Sequence, residues 1–362
     1  AQLTVEETGA LQAMIIEEEN RDSTQDLLDL VSILLKDKAN LELLEALFRF
    51  VKSETHAALA HGKFDSAYKS LKSVHSIRSS ALAQRSWAVP YFSKLIKAIS
   101  DPKLLDPFAL LIRNLDKADQ GRVKLIWNFI LMLHPIALEA LAPMMSQIRS
   151  LGVQKQFIKV LAKMASRDLK ILDSLLGGQD ERVVQPLVRI AAAIPGDNPI
   201  PMLRKMTHHP SARVRKQAVK SLLAREPSAL ESLFSLIEDP SDGVRQAIFD
   251  HLQHHQSEIG ENRLMQYLNE RQFGIKDTDH ILACYKTLGK CGSAKSIPFL
   301  KKILFKRTLR GVFQGHLHRQ GAVAALMKLE GQESQAILSK ASRSLSPAVR
   351  IAFKRGSEAK HF

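Results

Sequence analysis

Cysteine, aromatic residues and strand-like alternation are all scarce in this chain. The two cysteines, Cys284 and Cys291, stand seven residues apart. That spacing suits neither a disulfide framework nor a zinc site, so they read as buried thiols of a protein in a reducing, cytoplasmic compartment. Aromatic residues make up only 6% of the chain, while Leu and Ala dominate its apolar runs, a balance that favours helix over strand. No apolar run approaches the roughly 20 residues of a membrane span. The longest, Leu125 to Leu133, contains Asn128 and is followed by His134 and Pro135, and it reads as a buried helix ending before the proline. No signal peptide is visible, and the chain starts at Ala1 without a methionine, as a trimmed form or a fragment would. A phosphate loop, a dinucleotide glycine fingerprint, a nucleophile elbow and an HExxH pair are also missing. No serine has a legible base and orienting acid beside it. No catalytic residue, metal site or cofactor is therefore assigned.

Positive charge, by contrast, is abundant. The 362 residues carry a formal net charge of +15, unevenly spread. Residues 1–60 hold 5 basic and 12 acidic side chains, whereas residues 301–362 hold 13 basic and 3 acidic ones. Such polarity would orient the chain on an acidic partner. With 45% hydrophobic residues there is ample material for a core.

Helical periodicity runs almost throughout. Thr4 and Glu7 form a capping box, and Leu41, Leu44, Leu47 and Phe48 fall at helical spacing. Breakers such as Gly62, Pro90, Pro102, Pro107, Gly121, Pro135 and Gly152 cut the chain into segments of ordinary helix length. Residues 1–150 show no repeating motif and are read as a divergent helical region packed on the array that follows.

From about residue 151 to 362 the segments pair. HPSARVRKQAV at 209–219 returns thirty residues later as DPSDGVRQAIF at 239–249, and SPAVRIAF from Ser346 is a shorter third copy. A fixed period of this length marks stacked units, none able to bury its apolar face alone. Pro240 opens a helix where its missing N–H costs nothing. Val244, Ile248 and Leu252 then form a stripe at i, i+4 and i+8 that faces the next layer. The fold class expected is an all-α α-solenoid of helix pairs. SAKSIPFLKKIL (293–304) is read as a first helix and HRQGAVAALMKL (318–329) as its second, after an unusually long connection.

Asp239, Pro240, Val244 and Arg245 resemble the HEAT-repeat family in its bacterial form, which includes the phycobilin-lyase-type repeats. Weaker copies stand at Pro210, Val214 and Arg215 and at Pro347, Val349 and Arg350. The resemblance implies pairing of the turn aspartate with an arginine between adjacent repeats. Asp239 and Arg245 match the motif, while His209 and Ser344 replace the aspartate elsewhere. It also implies that the second helix of each pair lines a concave, partner-binding surface. Lys216 and Lys220 would lie on that lining, with Gln246 and Asp250 as their equivalents one repeat later.

The densest positive segment is KKILFKRTLR, 301–310. Lys301, Lys302 and Lys306 leave the Ile297–Leu300–Leu304 face together. Arg307 and Arg310 extend the patch into the expected loop, and His316, His318 and Arg319 follow, a candidate anion platform. His251, His254 and His255 share one helix but lack a third ligand type, so they read as exposed or capping residues. Trp87 and Trp127 read as core, and Glu17–Glu18–Glu19 as a solvated helix surface. The function expected is a non-catalytic scaffold that holds an acidic protein partner, and the resemblance implies bacterial signalling or complex assembly. The alternatives are nucleic-acid binding in a basic groove, by resemblance to the HEAT-like DNA glycosylases, and a bilin-lyase-like role.

Overall fold

The computed structural model describes residues 29–31, 33–35, 41–306 and 312–358, which form α-helices, short 3-10 turns and connecting loops, with no strand among them. Thr4, Glu7 and Glu17–Glu18–Glu19 lie outside the described residues. Contacts divide the chain into one unit up to Met202 and another from Leu203. The change of sequence pattern near residue 150 falls inside the first unit, between the turn Met145–Gln147 and the helix Leu151–Ala165.

The first unit contains α1 (Leu41–Ala60), α2 (Phe64–Gln84), α3 (Val89–Ile99), α4 (Phe108–Arg113), α5 (Gln120–Met132), α6 (Leu138–Met144), α7 (Leu151–Ala165), α8 (Leu169–Leu176) and α9 (Glu181–Ala193). Side-chain caps start many of them. Asp119, Ser150, Asp168 and Asp180 each accept a backbone N–H from the first turn of the helix that follows, a device worth about 1 kcal/mol apiece. A row of helices, α2, α5, α7 and α9, packs in succession. Phe64, Phe108 and Phe129 meet in its core with ring centroids 5.3 to 6.1 Å apart. Helix α5 ends at Met132, before Pro135 as expected. The Arg167 guanidinium closes that end by donating to the Leu131 carbonyl (2.8 Å) and the Leu133 carbonyl. Cation and helix C-terminus are matched in charge. No single helix among the described residues is long and apolar enough to cross a membrane; α5 and Pro135–Gln147 meet that test only as a pair bent by 118°.

After α10 (Ile200–Met206), the second unit runs through α11 (Ala212–Arg225), α12 (Leu230–Leu233, continuing as the 3-10 turn Phe234–Glu238), α13 (Asp242–His254), α14 (Glu258–Glu270), α15 (Thr278–Cys291), α16 (Ser296–Phe305), α17 (Val312–Lys328), α18 (Gln332–Ser342) and α19 (Pro347–Glu358). Helices α11, α13, α15, α17 and α19 pack each on the next, and α12, α14, α16 and α18 form a second row behind them. Two parallel rows of alternating helices are the α-solenoid arrangement. The expected stripe is in place: Val214, Ala218 and Leu222 on α11, and Val244, Ile248 and Leu252 on α13, are all fully buried. Each full burial of such a side chain contributes about 1.5–3 kcal/mol, Ala less.

The repeated arginine explains the motif, and not in the way its spacing suggests. Arg215 donates to the carbonyls of His209 (2.9 Å) and Pro210 (2.8 Å). Arg245 does the same to Asp239 (2.6 Å) and Pro240 (3.3 Å), and Arg350 to Ser344 (2.7 Å) and Leu345 (3.2 Å). In all three copies the guanidinium reaches back one turn and satisfies the carbonyls of its own inter-helix loop. The pair between repeats is Arg215 with Asp239, joined by two 2.8 Å bonds. Arg245 has Asp242 as its ion-pair partner instead. Burial pushes the Asp239 carboxyl up, but the Arg215 bonds and the Ser241 N–H outweigh it and hold the group below the usual carboxylate range.

The connection between α16 and α17 is shorter than expected. Residues 312–317 belong to α17, so His316, expected in the connection, is helical along with His318 and Arg319. Helix α17 is packed by α15, α16, α18 and α19, so its apolar residues are not confined to one stripe and its start is poorly marked in sequence. Close approach is purchased with glycine. A Cβ at Gly321 would overlap the Tyr285 ring, and one at Gly356 would lie 2.7 Å from Val323 Cβ. The space at Gly321 lets fully buried Tyr285 lie across α17 and place its hydroxyl 2.8 Å from His318 Nδ1.

Two outcomes follow for stability. Arg215→Ala leaves Asp239 buried without its partner and is expected to cost about 3–5 kcal/mol, whereas Arg350→Ala removes only carbonyl bonds at an exposed site and costs about 1–1.5 kcal/mol. Equal losses in urea unfolding would contradict the assignment. Gly321→Ala should destabilise by about 1–3 kcal/mol through overpacking, although helix propensity alone favours alanine by about 1 kcal/mol. Gly152→Ala, which meets nothing closer than 3.7 Å, is the control and should be neutral or stabilising.

Candidate functional site

A helix held by neighbours on three sides keeps one strip for solvent. On α15 that strip is Asp279, Leu282, Ala283, Lys286 and Lys290, at i, i+3, i+4, i+7 and i+11. On α17 it is Gln320, Ala324, Met327 and Lys328, and on α19 it includes Arg355 and Glu358. These strips line a groove of about 550 Å³ across α15, α17 and α19. Leu282, Ala283, Ala324 and Met327 supply its apolar lining. Lys286, Lys328 and Arg355 stand around it with Asp279 and Glu358.

The same face has different chemistry on α11 and α13. There Lys216 and Lys220 are exposed, as expected, but Lys216 lies along Gly243 and Lys220 Nζ is 3.9 Å from Asp250. Gln246 donates to Asp250 at 2.7 Å. Gln253 then bonds Thr287 (2.9 Å) and accepts from Lys290 (2.9 Å). This part of the face is spanned by its own polar contacts. Lys286, Lys328 and Arg355, by contrast, form no salt bridge among the described residues; Arg355 has only His316 Nε2 at 3.4 Å.

The basic segment at 301–310 does not join this surface. Lys301 and Lys302 are exposed on α16, in the other row, and Lys306 follows directly after it. Arg307 and Arg310 lie outside the described residues. Arg319 Nη2 donates to the Lys306 carbonyl at 2.9 Å, closing the end of α16. His318 is half-buried against Tyr285 and Phe273. The structure therefore does not gather Lys216, Lys220, Lys301, Lys302, Lys306 and Arg319 into one patch. It places them on different rows and gives Arg319 a structural bond.

Among the histidines of the 251–255 cluster, α13 ends at His254, and His255 follows it. The His251 and His255 rings meet at a tilt, 4.6 Å between centroids, beside Ser228 and Ser257, and His254 Nδ1 is 2.6 Å from the Asp250 carbonyl. Among the described residues no group of three or more His, Cys, Asp or Glu could hold a metal ion. Trp87 and Trp127, expected in the core, are half-buried. Trp127 stacks on Phe157 at 5.4 Å, and Trp87 meets Tyr91 edge-on. Indole rings this large cover a core edge without vanishing into it.

Sequence spacing did not reveal a polar network between the two rows. The Tyr267 hydroxyl donates to Glu238 (3.0 Å), accepts from Arg271 (2.8 Å), and lies 2.8 Å from His280 Nε2. With its proton on Glu238, the hydroxyl takes the His280 bond as acceptor, so Nε2 carries the hydrogen. His280 Nδ1 is buried with no partner among the described residues. A proton added there would be a buried donor without an acceptor. Cys284 Sγ is 3.9 Å from the same ring. Burial pushes its thiol up, and that of Cys291 up to about 12. A nucleophilic cysteine needs the opposite shift, so the pair is structural, and both cysteines are buried as expected.

No family model and no curated protein matches the chain. Solved structures similar to it include human deoxyhypusine hydroxylase in complex with glycerol, at 14% identity over 74% of this chain and 98% of that one, with a TM-score of 0.27. An engineered protein shares 14% identity over 92% of this chain and 98% of its own, with a TM-score of 0.30. A designed armadillo repeat protein shares 17% over 69% and 98%, with a TM-score of 0.24.

Burial lowers the pKa of His56, His75, His134, His251, His280, His316 and His318 from the usual 6.5. Like charges add to this, as Arg271 does at His280 and Lys306 at His318. Each of these groups takes its proton in the unfolded chain before it does so in the folded one. Stability is therefore expected to fall as pH drops below about 6.5. Melting temperature measured across mildly acidic to neutral pH tests this; a flat or rising profile on acidification would contradict it.

Proposed function

We propose that this protein is a non-catalytic, HEAT-like scaffold that binds a protein partner with acidic character on the α15–α17–α19 face of its second unit. The observation that carries this reading is the groove itself. It joins an apolar lining to cations that form no salt bridge among the described residues, next to a stretch of the same face where Lys220, Gln246, Gln253 and Lys290 make polar contacts of their own. Protein interfaces draw their affinity from such apolar centres and their orientation and encounter rate from the charged rim. Duplex DNA offers phosphates and would be met by a row of charged donors rather than by Leu282, Ala324 and Met327. The HEAT resemblance of the repeat turns supports the same face, because in that family second helices carry the partner. A bacterial setting in signalling or complex assembly follows from the resemblance alone.

A photo-crosslinking residue at position 324 of the full chain, expressed in its native cells, is expected to yield discrete protein adducts that disappear when Met327→Glu is added. The same residue at position 302, on the other row, should yield none of these adducts. Adducts of equal pattern at both positions, or none at 324, would refute the placement.

A further inference from the structure

Resting on that reading, we infer that the occupant of the groove is an amphipathic helix of the partner, its apolar stripe bordered by Asp and Glu. The argument begins with backbone hydrogen bonds. The groove is walled by α15, α17 and α19, whose mid-helix N–H and C=O groups are paired within their own helices. Apart from the Gln320 amide, the uncharged side chains lining it are Leu282, Ala283, Ala324 and Met327. An extended segment laid there would bury backbone donors and acceptors against hydrocarbon, with nothing to satisfy them. A helix brings its own bonds and presents only side chains. Helices seated in apolar grooves use anchors at i, i+3 or i+4, and i+7. Small Ala283 and Ala324 leave room for such anchors, while flexible Met327 adapts its thioether to their shape.

Charge selects the borders of that helix. Lys286 on α15, Lys328 on α17 and Arg355 on α19 rim the groove from all three walls, and none forms a salt bridge among the described residues. Two acids, Asp279 and Glu358, share the rim. Elsewhere on this face Lys220 stands 3.9 Å from Asp250 of the next helix. The bordering residues of the occupant that meet Lys286 and Lys328 are therefore carboxylates. These pairs, at a solvent-accessible rim, act more on orientation and rate than on total affinity.

The probe is a labelled synthetic peptide of about 18 residues, long enough for several helical turns, with Leu at i, i+3, i+4 and i+7 and Glu at the flanking positions. Its anisotropy is followed against the full-length chain. Saturable binding is expected, weakened about tenfold or more by Met327→Glu and unchanged by Lys302→Glu. Lys286→Glu with Lys328→Glu should weaken this peptide and favour a version bordered by Lys. Unchanged melting temperature confirms that each variant folds. Equal binding of a scrambled peptide, preference of the unmodified protein for the Lys-bordered version, or displacement by duplex DNA would each overturn the inference. If the Glu-bordered peptide fails to bind while adducts persist at position 324, the occupant is wrong and the scaffold reading survives. If both fail, the scaffold reading falls as well.

Discussion

A helix stacked within a row and backed by a second row has three flanks to bury and one strip to spare. That constraint governs the second unit. It demands helices that are apolar over most of their circumference, turns that hold each pair at a fixed angle, and close approach wherever three helices converge. The composition meets the first demand with Leu, Ala, Val and Ile. The turn arginines meet the second and the glycines of α17 and α19 the third. Whatever the protein binds on this face, it binds through the remaining strip.

The turn arginine joins local to long-range order. Within its own repeat it satisfies carbonyls that the loop would otherwise leave unpaired, which is why it recurs in all three copies. Between repeats it acts only where an aspartate is present, as at Asp239. There a buried carboxylate is held ionised by two bonds from Arg215, so two adjacent pairs are fixed by one charged contact. The stack does not need an unbroken ladder of such contacts, because the apolar stripes supply most of the stabilisation. The half-buried histidine–tyrosine contacts at His280 and His318 work in the same direction, tying α15 to its neighbours.

Much of this was legible in the residues. Pro347 opens α19 as expected, whereas Pro210 and Pro240 stand in the loop one residue before the N-caps Ser211 and Ser241, so they announce a helix without being its first residue. The Val214 and Val244 stripes mark the buried flank. The groove was not read, although a signal for it exists. Ile281 to Tyr285 and Ala322 to Met327 are unbroken apolar runs, and at 100° per residue a run of five or six surrounds a helix. Some of those residues have to face away from the core. Charge density drew attention to residues 301–310 instead, yet charge density cannot say which row a helix joins. The extent of α17 was missed because a helix packed on nearly every side carries no amphipathic signature.

By itself the sequence determined the all-α class, the pairing of helices into repeats, the burial of both cysteines and the absence of a legible catalytic motif. These depend on properties each segment carries alone: propensity, periodicity and turn chemistry. Only the tertiary structure decided that Lys301 and Lys216 stand on different rows, that Arg319 closes a helix end, that Arg215 rather than Arg245 holds Asp239, and that Leu282, Ala324 and Met327 share a groove. Those facts depend on which residues become neighbours across distant parts of the chain, and the order of residues along one helix does not contain that information.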